Sequence, residues 1–64
     1  MLLENLYRVL YENQEVTLQD IREQKTLWHG LVSNIPVEYL SRAVAGVISC
    51  AINLNASLIR IDLI

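Results

Sequence analysis

The sequence predicts a small α+β domain: two β-hairpins, giving four mainly antiparallel strands, with a short N-terminal helix and a short central helix. Three observations predict it. Apolar residues recur at helical spacing at the N-terminus, and stretches 15–21 and 57–64 alternate apolar with polar residues in the period of a half-buried strand. Each of these strands neighbours a second run of β-forming residues across a short polar break. The 64 residues make one domain, 1–64, with no room for another.

Leu3, Leu6, Tyr7 and Leu10 fall at i, i+3, i+4 and i+7, one apolar stripe on a helix over residues 2–11. Glu4 and Arg8 form an i, i+4 pair of the favourable orientation, and Asn13 suits a left-handed stop. In EVTLQDI, residues 15–21, Val16 and Leu18 alternate with Thr17 and Gln19. After the polar break Arg22-Glu23-Gln24-Lys25 comes TLWHGLV, residues 26–32, which completes the first hairpin. That break carries no Asn-Gly or Asp-Gly pair, so its turn type is open. Gly30 inside the second strand points to a bulge or a close approach.

Pro36 suits the first position of a helical turn over 36–41, and Glu38 puts a negative charge in its first turn. Residues 43–52 read equally as a buried helix or a buried strand; Gly46 with the valines and isoleucines favours strand. Asn53-Leu54-Asn55-Ala56 is then the turn into SLIRIDLI, residues 57–64, whose Ile59, Ile61 and Leu63 share one face. Strict alternation makes the second hairpin apolar on both sides, with Val44, Ile48 and Ile52 on one and Ala43, Ala45, Val47 and Ala51 on the other. Strands of that kind need cover on both faces.

A chain of this length hides only about 60% of its unfolded surface, yet 53% of its residues are hydrophobic. Cys50 is the only cysteine, which excludes an internal disulfide, and Cys50 with His29 is too small a set for structural zinc. Self-association is the remaining source of burial, so a homo-oligomer is expected. The net charge of −2 offers no basic surface for general nucleic-acid binding. The N-terminus lacks a basic n-region, and the uncharged stretch 43–59 is too polar for a membrane span, so the expected setting is cytoplasmic.

Catalytic signals are sparse. Cys50 and His29 are the one thiol–imidazole pair, and Cys50 has no charge near it to activate the thiol. No two carboxylates sit in apolar surroundings, and the two glycines lie too far apart for a phosphate loop. The expectation is a binding protein, not an enzyme, without cofactor or metal. Its candidate ligand-binding residues are Trp28 and Tyr39, each an apolar body with a polar handle, and Arg42 and Arg60, which flank the second hairpin. Symmetry in an oligomer would multiply the arginines around an axis.

Between Leu6 and Arg42 the chain reads LYRVLYENQEVTLQDI and then TLWHGLVSNIPVEYLSRAV. A leading helix, a strand ending in Asp-x-x, a return of the form Trp-x-Gly-x-x-x-x-Ile-Pro and a short helix with Tyr-Leu resemble small proteins encoded by phages and prophages of Gram-positive bacteria. The typical pattern has an acidic, glycine-containing turn in the first hairpin, where this chain has Arg22-Glu23-Gln24-Lys25. The resemblance implies a phage accessory protein acting in the host cytoplasm, either a sponge for a nucleotide-derived immune signal or an inhibitor of a host defence enzyme. In the first role the ligand sits at subunit interfaces. In the second, Glu12, Glu15, Asp20 and Glu23 offer an acidic surface to a basic cleft. A small structural or transcription-regulatory module is the third possibility and requires 36–52 to be helical.

Overall fold

The computed structural model describes the backbone of residues 1–53 and 56–64 and the side chains of residues 1–48 and 58–64. The expected turn at Leu54 and Asn55, and the side chains of Cys50, Ala51 and Ile52, fall outside the described residues. Helix α1 (Leu3–Tyr7) precedes strands β1 (Glu15–Asp20) and β2 (Lys25–Leu31), two 3-10 turns (Val32–Asn34 and Val37–Tyr39), and strands β3 (Val44–Asn53) and β4 (Ala56–Leu63). The four strands form one sheet in the order β2-β1-β4-β3. This is the α+β class with two hairpins that the sequence implies, and 43–52 is strand. The hairpins lie side by side, so the two central strands run parallel, with Val16 beside Ile59 and Leu18 beside Ile61.

One face of the sheet is covered. Val16 and Leu18 of β1 and Ile61 and Leu63 of β4 point into it and are buried with Leu3, Val32 and Ile35. Leu6, Tyr7, Leu10, Tyr39 and Leu40 close the margin. Helix α1 is shorter than the apolar stripe 2–11. A helix this short is held by tertiary contacts rather than propensity, and here the contacts are at its start: Leu3 N–H and Glu4 N–H donate to the Arg42 and Leu40 carbonyls at 2.9 Å each. Those acceptors satisfy amides that a helix cannot satisfy itself. Downstream, the chain turns to run beside the end of β2, where Val32 N–H reaches the Gln14 carbonyl and Ser33 N–H the Glu12 carbonyl.

The central helix expected over 36–41 is a single 3-10 turn, Val37–Tyr39, and a second such turn, Val32–Asn34, precedes it. Ile35 and Pro36 between them are extended, with ψ of 124° and 136°. The pyrrolidine ring disfavours the α region for the residue before proline, so Ile35 keeps the two turns separate. The segment crosses the covered face from the β2 edge to the β3 edge. The tighter 3-10 winding advances about 2.0 Å per residue against about 1.5 Å for an α-helix.

The first turn solves its geometry without glycine. Asp20 Oδ1 accepts from Arg22 N–H at 2.8 Å and Glu23 N–H at 3.0 Å, and Gln24 takes the left-handed φ of 53°. Gly30 is needed for space. A Cβ there would lie 2.8 Å from both Cη2 and Cζ2 of Trp28, whose ring folds across it. Gly30→Ala is therefore expected to lift the indole and cost about 1–3 kcal/mol. Trp28 is the only tryptophan, so a red-shifted emission with a lower urea midpoint is the expected readout. An unchanged spectrum and midpoint would mean that the ring packs elsewhere.

A bulge corrects one feature of the strict alternation in β3. Val44 pairs with Leu63 while Gly46 pairs with Asp62, leaving Ala45 as the extra residue. The slip moves Val44 away from the face of Ile48 and against the core.

Candidate functional site

The second face of the sheet carries no helix or turn among the described residues. Register alone assigns its side chains. Glu15, Thr17 and Gln19 of β1 alternate with the buried Val16 and Leu18. Their partners are Leu31, His29 and Thr26 on β2, and Leu58, Arg60 and Asp62 on β4. Gly46 and Ile48 of β3 complete the rows beside Asp62 and Arg60. The result is a polar centre with apolar residues, Leu31, Leu58 and Ile48, toward its sides.

Three hydrogen-bonded groups lie on this face. The Thr17 hydroxyl is 2.7 Å from His29 Nδ1, and His29 Nε2 is 2.8 Å from Glu15 Oε1. A neutral ring donating Nε2–H to the carboxylate presents Nδ1 as acceptor, so the threonine hydroxyl donates to it. Beside them Gln19 Nε2 donates to Thr26 Oγ1 at 3.2 Å. On β4, Arg60 Nη2 donates to Asp62 Oδ2 at 3.4 Å. Arg60 Nε lies 3.2 Å from Asp62 Oδ1 without the geometry of a hydrogen bond, and has no hydrogen-bond partner among the described residues.

A hydroxyl, an imidazole and a carboxylate in series is the order found in acyl-transfer sites. Here the series lies along an open sheet, with His29 and Glu15 side chains about half exposed. Electrostatic catalysis needs fixed donors around the reacting atom in a water-excluded site, and a flat, wet face does not supply that. What the arrangement does supply is a fixed pattern of donors and acceptors on a rigid β surface. A hydrogen bond this exposed adds at most about 1 kcal/mol to stability.

The four residues singled out from sequence do not meet in one chain. Trp28 and Tyr39 belong to the covered face and pack against the core; the Tyr39 hydroxyl reaches the Leu27 carbonyl at 3.5 Å. Arg42 is fastened by Nη2 to Asp20 Oδ2 at 3.0 Å and by Nε to the Ile64 carbonyl at 3.2 Å. Arg60 alone lies on the open face. The four acidic residues are also dispersed. Glu15 bonds His29, the buried Asp20 pairs with Arg42, Glu23 pairs with Lys25 at 2.7 Å, and Glu12 is exposed.

Sequence reasoning placed His29 on a sheet surface but missed its partners. Glu15-x-Thr17-x-Gln19 and Arg60-x-Asp62 were visible as the polar halves of alternating strands. Their convergence depends on a turn length and a parallel strand pair that alternation does not encode. Among the described residues no group of three or more His, Cys, Asp and Glu is placed to hold a metal ion, and no helix is long and apolar enough to cross a membrane. In comparisons with known protein families, curated proteins and solved structures the chain has no match.

Proposed function

We propose that this chain is a non-catalytic binding module that docks a protein partner on the open face of its sheet. The observation that carries the reading is the asymmetry of the sheet: one face is packed by α1 and the crossing segment, while the other presents ordered polar side chains ringed by Leu31, Leu58 and Ile48. Its charges are mixed, Glu15 and Asp62 against Arg60, which suits a polar protein surface better than a phosphate backbone. A direct inhibitor of a host defence enzyme is the role that the phage resemblance implies for such a module.

A second reading, sequestration of a nucleotide-derived signal, draws on the part-exposed Arg60 guanidinium of the open face. One experiment addresses both. Immobilised wild-type protein is compared with Arg60→Glu and His29→Ala in capture from a Gram-positive bacterial lysate, and wild type is titrated calorimetrically with cyclic nucleotides and ADP-ribose. The docking reading expects a dominant captured protein, retained about tenfold less by either variant, a loss of about 1.4 kcal/mol. Both variants should keep the wild-type free energy of unfolding within about 1 kcal/mol. Equal capture by all three proteins would overturn it. Heat on nucleotide addition, abolished by Arg60→Glu, would establish the second reading in its place.

A further inference from the structure

Thr17 and His29 face each other across the β1–β2 pair, and Glu15 lies diagonally from the ring on the strand of Thr17. The two short contacts, 2.7 Å from Thr17 Oγ1 to His29 Nδ1 and 2.8 Å from His29 Nε2 to Glu15 Oε1, serve both charge states of the imidazole. A neutral ring donates Nε2–H to Glu15 and accepts the Thr17 hydroxyl hydrogen at Nδ1. A protonated ring donates at both nitrogens. The Thr17 oxygen then accepts Nδ1–H, and its own hydrogen rotates outward. One proton and one hydroxyl rotation separate the two states, with no heavy atom moved. What the group offers to a partner is nonetheless reversed. With the ring neutral, Thr17 shows its lone pairs beside a carboxylate whose charge the ring does not cancel. With the ring protonated, Thr17 shows a hydrogen and the imidazolium cancels the carboxylate.

The surrounding charges leave this corner to itself. On β1 the remaining residue of the open face is the uncharged Gln19. On β4 come Arg60 and Asp62, which bond each other; Arg60 is two strand spacings from His29, about 10 Å between Cα atoms. Lys25 stands at the far end of β2 and is paired with Glu23. Glu12 adjoins the near end of β2 through the Ser33 amide and is exposed, adding a negative charge on that side.

We propose that Glu15, Thr17 and His29 form a proton-controlled seat for a basic side chain, lysine or arginine, of the protein that docks on the open face. The inference rests on the docking reading and adds the chemistry and the regulation of one corner of it. Two adjacent acceptors, one of them charged, select a cationic donor. Protonation of His29 withdraws both attractions together, because it turns a hydrogen outward at Thr17 and places a positive charge against Glu15. Imidazole ordinarily changes charge between pH 5 and 8, so mild acid is the releasing signal.

His29 is the only histidine, so its ring signals identify themselves in an NMR titration of the isotope-labelled whole protein from pH 8.5 to pH 5. The titration is run alone and with tetralysine as the basic probe, whose side chains stay protonated throughout. Alone, wild type is expected to show the Nε2–H tautomer at the upper end, and the Thr17 side-chain shifts should follow the ring with one common midpoint. Tetralysine should move the Thr17 and Glu15 side-chain signals at least threefold more at pH 8 than at pH 5.5. In His29→Gln, with folding verified by circular dichroism, the Thr17 shifts should stay constant over this range and tetralysine should act equally at both pH values. Thr17 signals that stay fixed while the wild-type ring titrates would overturn the proposal, as would an Nδ1–H tautomer at pH 8.5. So would a wild-type response to tetralysine that is absent at pH 8 or no larger there than at pH 5.5, or a wild-type pH dependence retained in His29→Gln. The docking reading fails by a different result, equal capture by wild type, Arg60→Glu and His29→Ala, which leaves these spectra unaffected.

Discussion

Leu18→Ala is expected to remove most of the stability of this domain. Leu18 is fully buried in a central strand, between Trp28 on β2 and Ile61 on β4. Truncating a leucine in such a place costs about 2–5 kcal/mol, the spread depending on how far the cavity collapses. A domain of 64 residues has in total roughly 3–10 kcal/mol at the usual stability per residue. Neighbouring backbone at this position is tied on both sides by sheet pairing, so collapse is restricted. Urea unfolding followed by Trp28 fluorescence measures the loss. Val9→Ala, at a side chain 76% exposed, is the control and should stay within about 0.5 kcal/mol of wild type. A loss below about 1 kcal/mol for Leu18→Ala would contradict the assignment of the covered face.

Asp20→Asn is expected to lower stability at neutral pH and to flatten the acid limb of the pH–stability curve. Asp20 is the one buried charged residue among those described, and it fastens three segments together. Its carboxyl is held below the usual carboxylate range, first by the Glu23 N–H and then by the Arg42 guanidinium, with the Arg22 N–H adding to them and partial burial opposing. A carboxyl whose folded pKa lies below its unfolded value, about 4, stabilises the fold above that pH. The contribution disappears as pH falls below about 4 through the folded value. Asparagine keeps an oxygen for the two turn amides and removes the charge facing Arg42. Wild type should therefore lose its advantage over Asp20→Asn as the pH falls below about 4. Denaturant midpoints of the two proteins across pH 2–7 provide the measurement, and parallel curves would exclude the ion pair as a source of stability.

The two hairpins were legible because alternation is a local property. EVTLQDI and SLIRIDLI each declare a period of two whatever their neighbours do. Among the described residues seven apolar side chains form the buried core, and five of them lie in strands or in the α1 stripe that spacing identifies. The parallel contact between β1 and β4 was not legible, because nothing local says which strand of one hairpin meets which strand of the other. Val44 could not be assigned to its face for a similar reason: a bulge inserts one residue and leaves the composition unchanged. Apolar, aromatic and guanidinium types singled out Trp28, Tyr39, Arg42 and Arg60 as binding residues, but residue type does not reveal that Asp20 and the Ile64 carbonyl already claim Arg42. The Thr17–His29–Glu15 series needed the register of the first hairpin. That register rests on Asp20 and on Gln24 in the left-handed region, a conformation no side chain in Arg22-Glu23-Gln24-Lys25 announces.

Placing β1 against β4 also fixes the order of events in folding. Each hairpin closes through nearby residues, which is quick; the seam between them joins positions from opposite parts of the chain and is slow to form. Until that seam closes, β1 has one side without a neighbour, and Val16 and Leu18 are wet. The half-assembled protein is thus at its most adhesive just before the hairpins meet, and arrival of β4 both completes the interior and removes the hazard.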